Sequence, residues 1–497
     1  MNPHKLYRRR LLLEHGIRFP EGGRVMWEDI FFNVEVARHA AVISTLSSTP
    51  YYHWVNTAGS GSTTFVKSRA DYWGGLHRVC EAIQTVLAGD EHRLQREQLL
   101  YHQYAQRILG AFDTKFLTRD ARDRAVIFEG ARALQEHFCF ERFDVELSRS
   151  QLLRARVLRH GDLSLMERAC REDVRTPGTG RASALRWVNG VLRVEADVEW
   201  TDGSGRLSTI ERTGARLRKI VSPEVRAIAG DDPLDVTDEV AAAHVGFVVH
   251  SRRSSVAWSI PADFQLQVED TDGGAVRVHA TAAGEIDPDH AAMGRALTPA
   301  TPWKVQVRAE IGSAHAQRGL KSDVPATISM RPDRLDFAFS SGGVASLVVG
   351  DPDLAVRHLQ PAGARTIDGG LLEVVLHGSH DGTGTLDVVV GRGRRGLRVV
   401  PFEGMPAQLR VEAGLATLRF AATASTIHVR IGDRADGGRR WWTIIVRSGR
   451  ARLVPGRAAG VSRGRRASES LRQRVRLTVN RTRRVVRRFA RRLPGRG

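Results

Sequence analysis

Two periods divide the chain. Up to about residue 175 apolar residues recur every three to four positions, and beyond Thr176–Arg181 they alternate. The first spacing lines one face of a helix, and the second lines one face of a strand. Ile30, Phe31, Val34 and Ala37 predict a helix over Trp27–Ala40. Tyr72, Leu76, Val79, Cys80, Ile83, Val86 and Leu87 share a face of a helix over Ser68–Ala88. Further helices are predicted over Glu91–Phe112, Arg119–His137, Ser148–His160 and Ser164–Cys170, with Gly89-Asp90 and His160–Asp162 as breakers. Around the first helix, Ala41–Leu46 and Pro50–Val55 read as short strands or extended segments. This is α/β texture in a stretch too short for a core of its own.

Past the Pro/Gly linker the alternating segments are Leu185–Trp200, Gly246–Trp258, Phe264–Val268, Val276–Ala280 and Trp303–Ile311. Asn189-Gly190, Asp202-Gly203 and Asp272-Gly273 supply tight hairpin turns. A second set includes Ala345–Val349, Leu371–Leu376, Leu386–Val390, Leu397–Val400, Thr417–Ala421, Ile427–Ile431 and Trp441–Val446. Strand number and spacing suit two successive β-sandwiches. The expected organisation is therefore a mixed multidomain chain: an α/β segment over 1–65, a helical region over 66–175, sandwiches over 181–325 and 326–456, and a tail over 457–497.

Charge changes the picture of the tail. The 497 residues hold 75 Lys+Arg against 55 Asp+Glu, a net +20, and 15 of the arginines stand in 457–497 against one acid, Glu469. The remaining 456 residues carry only +6, so no global basic groove is implied. Wound as a helix, 470–493 gathers Leu471, Val475, Val479, Val485, Val486, Phe489 and Leu493 in one sector. Arg474, Arg476, Arg481, Arg484, Arg487, Arg488 and Arg491 fill the opposite sector. Such a cationic amphipathic helix suits an anionic membrane surface better than nucleic acid, which needs no apolar stripe. An acidic partner or a solvated tail is the alternative. No apolar run reaches membrane-span length and no secretory signal opens the chain, so a cytoplasmic protein, peripheral at the inner membrane face, is expected. Cys80, Cys139 and Cys170 lie far apart and read as free thiols.

Several chemical patterns fall away on context. Gly391, Gly393 and Gly396 match a dinucleotide-binding glycine spacing, but strands flank them where a helix is required, so a hairpin turn is predicted. Asp270/Asp272 and Asp351/Asp353 resemble metal-binding pairs, yet they sit in turns, where Asp is common. Asn480 and Thr482 fit a glycosylation acceptor, but they lie in a helix expected to be cytosolic. A different constellation occupies the N-terminal stretch: Lys5-Leu-Tyr-Arg8, then Glu14–Gly22, Trp27-Glu-Asp-Ile-Phe-Phe32, Tyr51-Tyr-His-Trp54 and Gly59-Ser-Gly-Ser62. Glu28 and Asp29 open a helix. There they complement the helix dipole by about 0.3–1 kcal/mol, or provide a general base on a rigid element.

The order and spacing of these pieces resemble the C-terminal half of a GT-A family 2 glycosyltransferase, near the bacterial enzymes that decorate wall teichoic acid or build surface polysaccharide. The motif likeness covers about 60 residues. A helical region followed by β-sandwich modules resembles the later regions of poly(ribitol-phosphate) glycosyltransferases. The resemblance implies that Asp29 is the catalytic base and that Glu28 supports it. It implies donor-diphosphate contacts from His53, Ser60 and Ser62, with Lys5 and Arg8 on the acceptor side. The implied reaction is inverting transfer of a hexosyl or N-acetylhexosaminyl group. Its partners would be a nucleotide sugar, most readily a UDP-sugar, and a polymer or lipid-linked acceptor. Sandwich modules that associate in the family imply a homo-oligomer. Full-length members also use Mg2+ or Mn2+ bound in a nucleotide-binding half that this sequence lacks, so the chain reads as N-terminally truncated. A noncatalytic polymer-binding or oligomerisation module, docked on membrane by its tail, is the competing expectation.

Overall fold

The computed structural model describes residues 5–455 except 22–24, 46–65, 174–177, 201–209, 252, 272–273, 299–301, 333, 357, 368–369, 394–401, 422–425, 431–441 and 448–449. Two compact units result: Met1–Val324 with Val344–Val349, and Pro325–Gly343 with Gly350–Gly497. The predicted tail helix over 470–493 lies outside the described residues. No described helix is long and apolar enough to cross a membrane.

The first unit opens with α1 (Arg9–Glu14), α2 (Glu28–His39), α3 (Ala70–Val86), α4 (Arg93–His102), α5 (Thr114–Leu117), α6 (Ala121–Phe138), α7 (Arg149–His160) and α8 (Leu163–Glu172). Local chemistry starts and stops them. Asp113, Asp120 and Asp162 accept first-turn amides of α5, α6 and α8, and Ser148 and Gln151 form a reciprocal capping box on α7. Gly161, at φ 86°, closes α7. The apolar stripe of α3 meets Phe112, Phe128, Leu153 and Leu158 in one core, which also takes in Trp27, Ile30 and Val34 around α2. The helix predicted over Glu91–Phe112 is not uniform: α4 ends at His102, Gln103–Ile108 form a π turn, and Leu109–Ala111 a 3₁₀ turn. Gln103, Tyr104, Ala105, Ile108, Leu109, Ala111 and Phe112 are all buried, a wider inward face than a 3.6-residue period presents, and the change of pitch brings them inward. Residues 41–45 of the predicted Ala41–Leu46 segment form no strand, and Val42 and Ile43 are exposed.

Antiparallel strands complete this unit: β1 (Gly178–Val188), β2 (Val191–Trp200), β3 (Ile210–Thr213), β4 (Arg216–Lys219), β5 (His244–Ser251), β6 (Ala257–Ile260), β7 (Asp263–Asp270), β8 (Val276–Ile286), β9 (Trp303–Ile311) and β10 (Ala314–Gly319). After β11 (Thr327–Met330) and β12 (Leu335–Ser341) of the second unit, β13 (Val344–Val349) returns to the first and pairs with β9. One sheet runs β1-β2-β8-β7; in the other, β6, β5 and β9 are neighbours. Asn189 and Gly190, both at positive φ, form the β1–β2 turn, as the hairpin chemistry requires. Glycine permits the sheets to close face to face: a Cβ at Gly178 would strike Ala309, and one at Gly284 would crowd Phe247. Two short helices between β4 and β5, α9 (Pro223–Ala229) and α10 (Thr237–Ala241), escape periodicity because each spans two turns or fewer. Val225, Ala229 and nearby Leu234 join the helical core. A buried ion cluster binds the same parts together. Asp173, just beyond α8, lies 2.7 Å from Arg154 of α7 and 2.6 Å from Lys219 of β4.

The second unit contains β11, β12, α11 (Pro352–Val356), β14 (Pro361–Ile367), β15 (Leu371–Leu376), β16 (Asp381–Gly382), β17 (Gly384–Gly393), β18 (Phe402–Glu412), β19 (Leu415–Ala421), β20 (Thr426–Arg430), β21 (Trp442–Arg447) and β22 (Arg450–Pro455). Its large sheet runs β14-β15-β19-β18-β17-β20-β21-β22 and curls until β14 lies beside β22. Gly391 and Gly393 are strand residues of β17 opposite Gly404 and Phe402 of the antiparallel β18; Gly396 and the predicted strand Leu397–Val400 lie outside the described residues. Asp351 is not a simple turn residue: its carboxylate accepts the Leu354 amide at the start of α11. Asp270 ends β7 in the first unit and pairs with Arg212 at 2.8 Å.

Candidate functional site

The Glu28–Asp29 pair occupies the first turn of α2. Trp27, the preceding residue, adopts φ 61° and ψ 38°, a left-handed conformation that costs a bulky residue about 1–3 kcal/mol and requires its surroundings to hold it. Its ring is buried, edge-on to Tyr72 at 5.1 Å, with the Arg107 guanidinium 4.6 Å from the ring centroid. A Cβ on Gly75 of α3 would come within 3.0 Å of the Met26 sulfur, so glycine lets this turn approach the helical core. The direction in which α2 leaves its first turn is thus set by packing against α3 and the π turn.

Glu28 is exposed and Asp29 half-buried. Burial pushes the Asp29 carboxyl above its ordinary range and the Glu28 charge pushes the same way, while the amino terminus of the chain and, less strongly, Arg107 pull it back. A carboxylate so placed is a stronger proton acceptor than a solvated one. One turn on, the Asn33 side chain donates to the Asp29 carbonyl. Asn33 Oδ1 accepts the Tyr7 hydroxyl at 2.8 Å and the Lys5 ammonium at 3.3 Å. Burial raises the Tyr7 phenol, the Asn33 hydrogen bond lowers it, and the Asp29 charge raises it.

Of the residues singled out from sequence, Lys5 and Asp29 are joined through Asn33, and Glu28 stands beside Asp29 in the first turn of α2. Arg8 is exposed at the N-cap of α1. His53, Ser60 and Ser62 lie outside the described residues. Sequence reasoning gave Tyr7 and Trp27 no role beyond their motifs and missed Asn33 and Arg107. Asn33 stands one helical turn after Asp29, a spacing that could have marked it. Arg107 is brought in from 78 residues away by the tertiary fold and had no local signal. Nearby, Lys67 donates to the Gly110 carbonyl at 3.0 Å. Burial lowers its amine to about 8, with Asp113 opposing that shift and Arg107 adding to it.

Residues 69–170 match a family model described as the glycosyl transferase TarS linker domain, about a fifth of the chain. The matched stretch runs from the residue before α3 into α8, and its core is the one that holds Trp27, Ile30 and Val34. No curated protein matches the chain significantly.

Proposed function

We propose that this chain is an inverting, nucleotide-sugar-dependent glycosyltransferase of the teichoic-acid type, or a major fragment of one, acting on a cell-wall or surface-polysaccharide acceptor. One observation carries the reading: the helical region similar to a glycosyl transferase linker shares its core with the helix that opens on Glu28 and Asp29. In this reading Asp29 takes the proton from an acceptor hydroxyl. The oxygen then attacks the anomeric carbon as the bond to the nucleotide diphosphate breaks, and the linkage inverts. Glu28 raises the proton affinity of Asp29, and Asn33 fixes the turn behind it. His53, Ser60 and Ser62 are assigned to the donor diphosphate, and Lys5 and Arg8 to the acceptor side. A divalent cation, when bound, would neutralise charge on the leaving diphosphate. Among the described residues no group of three or more His, Cys, Asp or Glu side chains could hold one, so the cation is assigned no ligand here.

The GT-A assignment of 1–65 and the sandwich assignments of 181–325 and 326–456 belong to the same proposal, as does an inner membrane surface as the place of action. The apolar stripe and arginine face of 470–493 would dock there. Sedimentation with anionic vesicles that weakens as salt rises, and no comparable retention on duplex DNA, is the expected result; equal binding to both would remove the membrane assignment. The central test is calorimetric titration of the folded chain with UDP and UDP-sugars, with and without Mn2+. Saturable binding supports the transferase. No binding by the folded protein overturns it for this chain and favours a polymer-binding or self-associating module.

A further inference from the structure

Arg107 belongs to neither the carboxylate pair nor its helix. It reaches Trp27, the residue before the pair, from the π turn Gln103–Ile108, which replaces regular helix between α4 and the 3₁₀ turn at Leu109–Ala111. A π turn carries an extra residue per turn and redirects the side chains that follow, and such turns recur beside functional sites. Here the redirected arginine lies over Trp27 at 4.6 Å and its charge acts on the Tyr72 phenol, while its Nε is buried without a hydrogen-bond partner. The Lys67 ammonium, donating to Gly110, braces the far end of the same segment.

We infer that Arg107 is a positioning residue for Asp29: seated on Trp27, its guanidinium holds the left-handed turn that starts α2 and places a positive charge beside the Glu28–Asp29 pair. This rests on the reading of Asp29 as the base. The geometry gives Arg107 two effects at once. Cation–π contact with Arg107 and the edge-on Tyr72 ring together restrain the indole, and with it the first turn of α2. Its charge also offsets the repulsion of adjacent carboxylates in a partly desolvated place. Other groups acting on Asp29 are the amino terminus of the chain, which also lowers it, Glu28 on its own helix and the Tyr7 phenol ahead of α1.

The test uses the full chain with 13C-carboxyl-labelled aspartate, the Asp29 resonance being assigned by its loss in Asp29→Asn. Its titration is followed in the wild type, Arg107→Met, Arg107→Gln and Arg107→Lys, each checked for folding by circular dichroism. The midpoint should move to higher pH in Arg107→Met and Arg107→Gln, and return toward the wild-type value in Arg107→Lys. If Arg107→Met does not fold, Arg107→Gln, which keeps a polar side chain without the charge, carries the test. An unmoved midpoint in folded Arg107→Gln, or a Lys variant indistinguishable from Gln, overturns the inference. This readout needs no turnover, so failure of the transferase proposal, seen as absent donor binding, is recorded separately.

Discussion

Replacing Asp173 by alanine should cost the first unit about 3–5 kcal/mol, the range for removing one partner of a buried ion pair. Asp173 is 5% exposed, and Arg154 and Lys219 both point at it. Its carboxyl also accepts Ser150 Oγ at 3.2 Å. Arg154 has no route to water: it is 2% exposed, with further bonds to the Phe112 and Ser150 carbonyls. Alanine therefore leaves two cations facing each other in a low-dielectric place. By contrast, Lys219→Met removes one cation and leaves the Arg154–Asp173 pair, so its loss should be nearer the roughly 1.5–3 kcal/mol of a charged hydrogen bond. Urea denaturation followed by far-ultraviolet circular dichroism and tryptophan fluorescence measures both variants. The dependence on pH provides a second check. Burial opposes ionisation of Asp173, but Lys219 and Arg154 outweigh it and hold the carboxyl far below its usual range. A depressed carboxyl stabilises fully above the unfolded value near 3.9 and loses that contribution as pH falls toward the folded value. The gap between wild type and Asp173→Asn should therefore be constant above about pH 5 and shrink below about pH 4. A loss under about 1 kcal/mol for Asp173→Ala, or a Lys219→Met loss as large, would refute the reasoning.

Three further outcomes are expected. His380 is buried, accepts the Ile328 amide through Nδ1, and has its imidazole lowered by burial to about 4. Because the unfolded ring titrates near 6.5, the second unit should lose up to about 3 kcal/mol as pH falls from 6.5 to 4, and a His380→Asn variant should flatten that slope in thermal melts across this window. Gly130→Ala places a methyl inside the Trp73 ring and should destabilise α3–α6 packing by about 1–3 kcal/mol; an unchanged denaturation midpoint would show that the ring moves aside freely. In protein competent for transfer, Asp29→Asn should lower the rate about 10²–10⁴-fold with folding intact, and near wild-type turnover would remove the base assignment.

Much of the element order was legible because periodicity reports which face is buried. The α3 stripe, the Asn189-Gly190 hairpin and the strand Trp303–Ile311 follow from spacing alone, since each buries one continuous face. The π turn at Gln103–Ile108 was not legible: a run of buried residues with an intact apolar pattern still scores as regular helix. Likewise β13 follows β12 in sequence yet belongs to the first unit, a division no local window contains.

At the candidate site the amino-acid order by itself determined that two adjacent carboxylates, Glu28 and Asp29, open a helix, and that Lys5 precedes it. Only the tertiary structure decided what environment those carboxylates meet. Trp27 holds a strained conformation because Tyr72 and Arg107 grip its ring, and Asn33 joins Tyr7 and Lys5 to the turn behind Asp29. Burial and charge at Asp29 arise from side chains up to 78 positions away. Short-range spacing encodes which face of a helix is apolar; which distant cation the fold brings to that helix depends on how the faces pack.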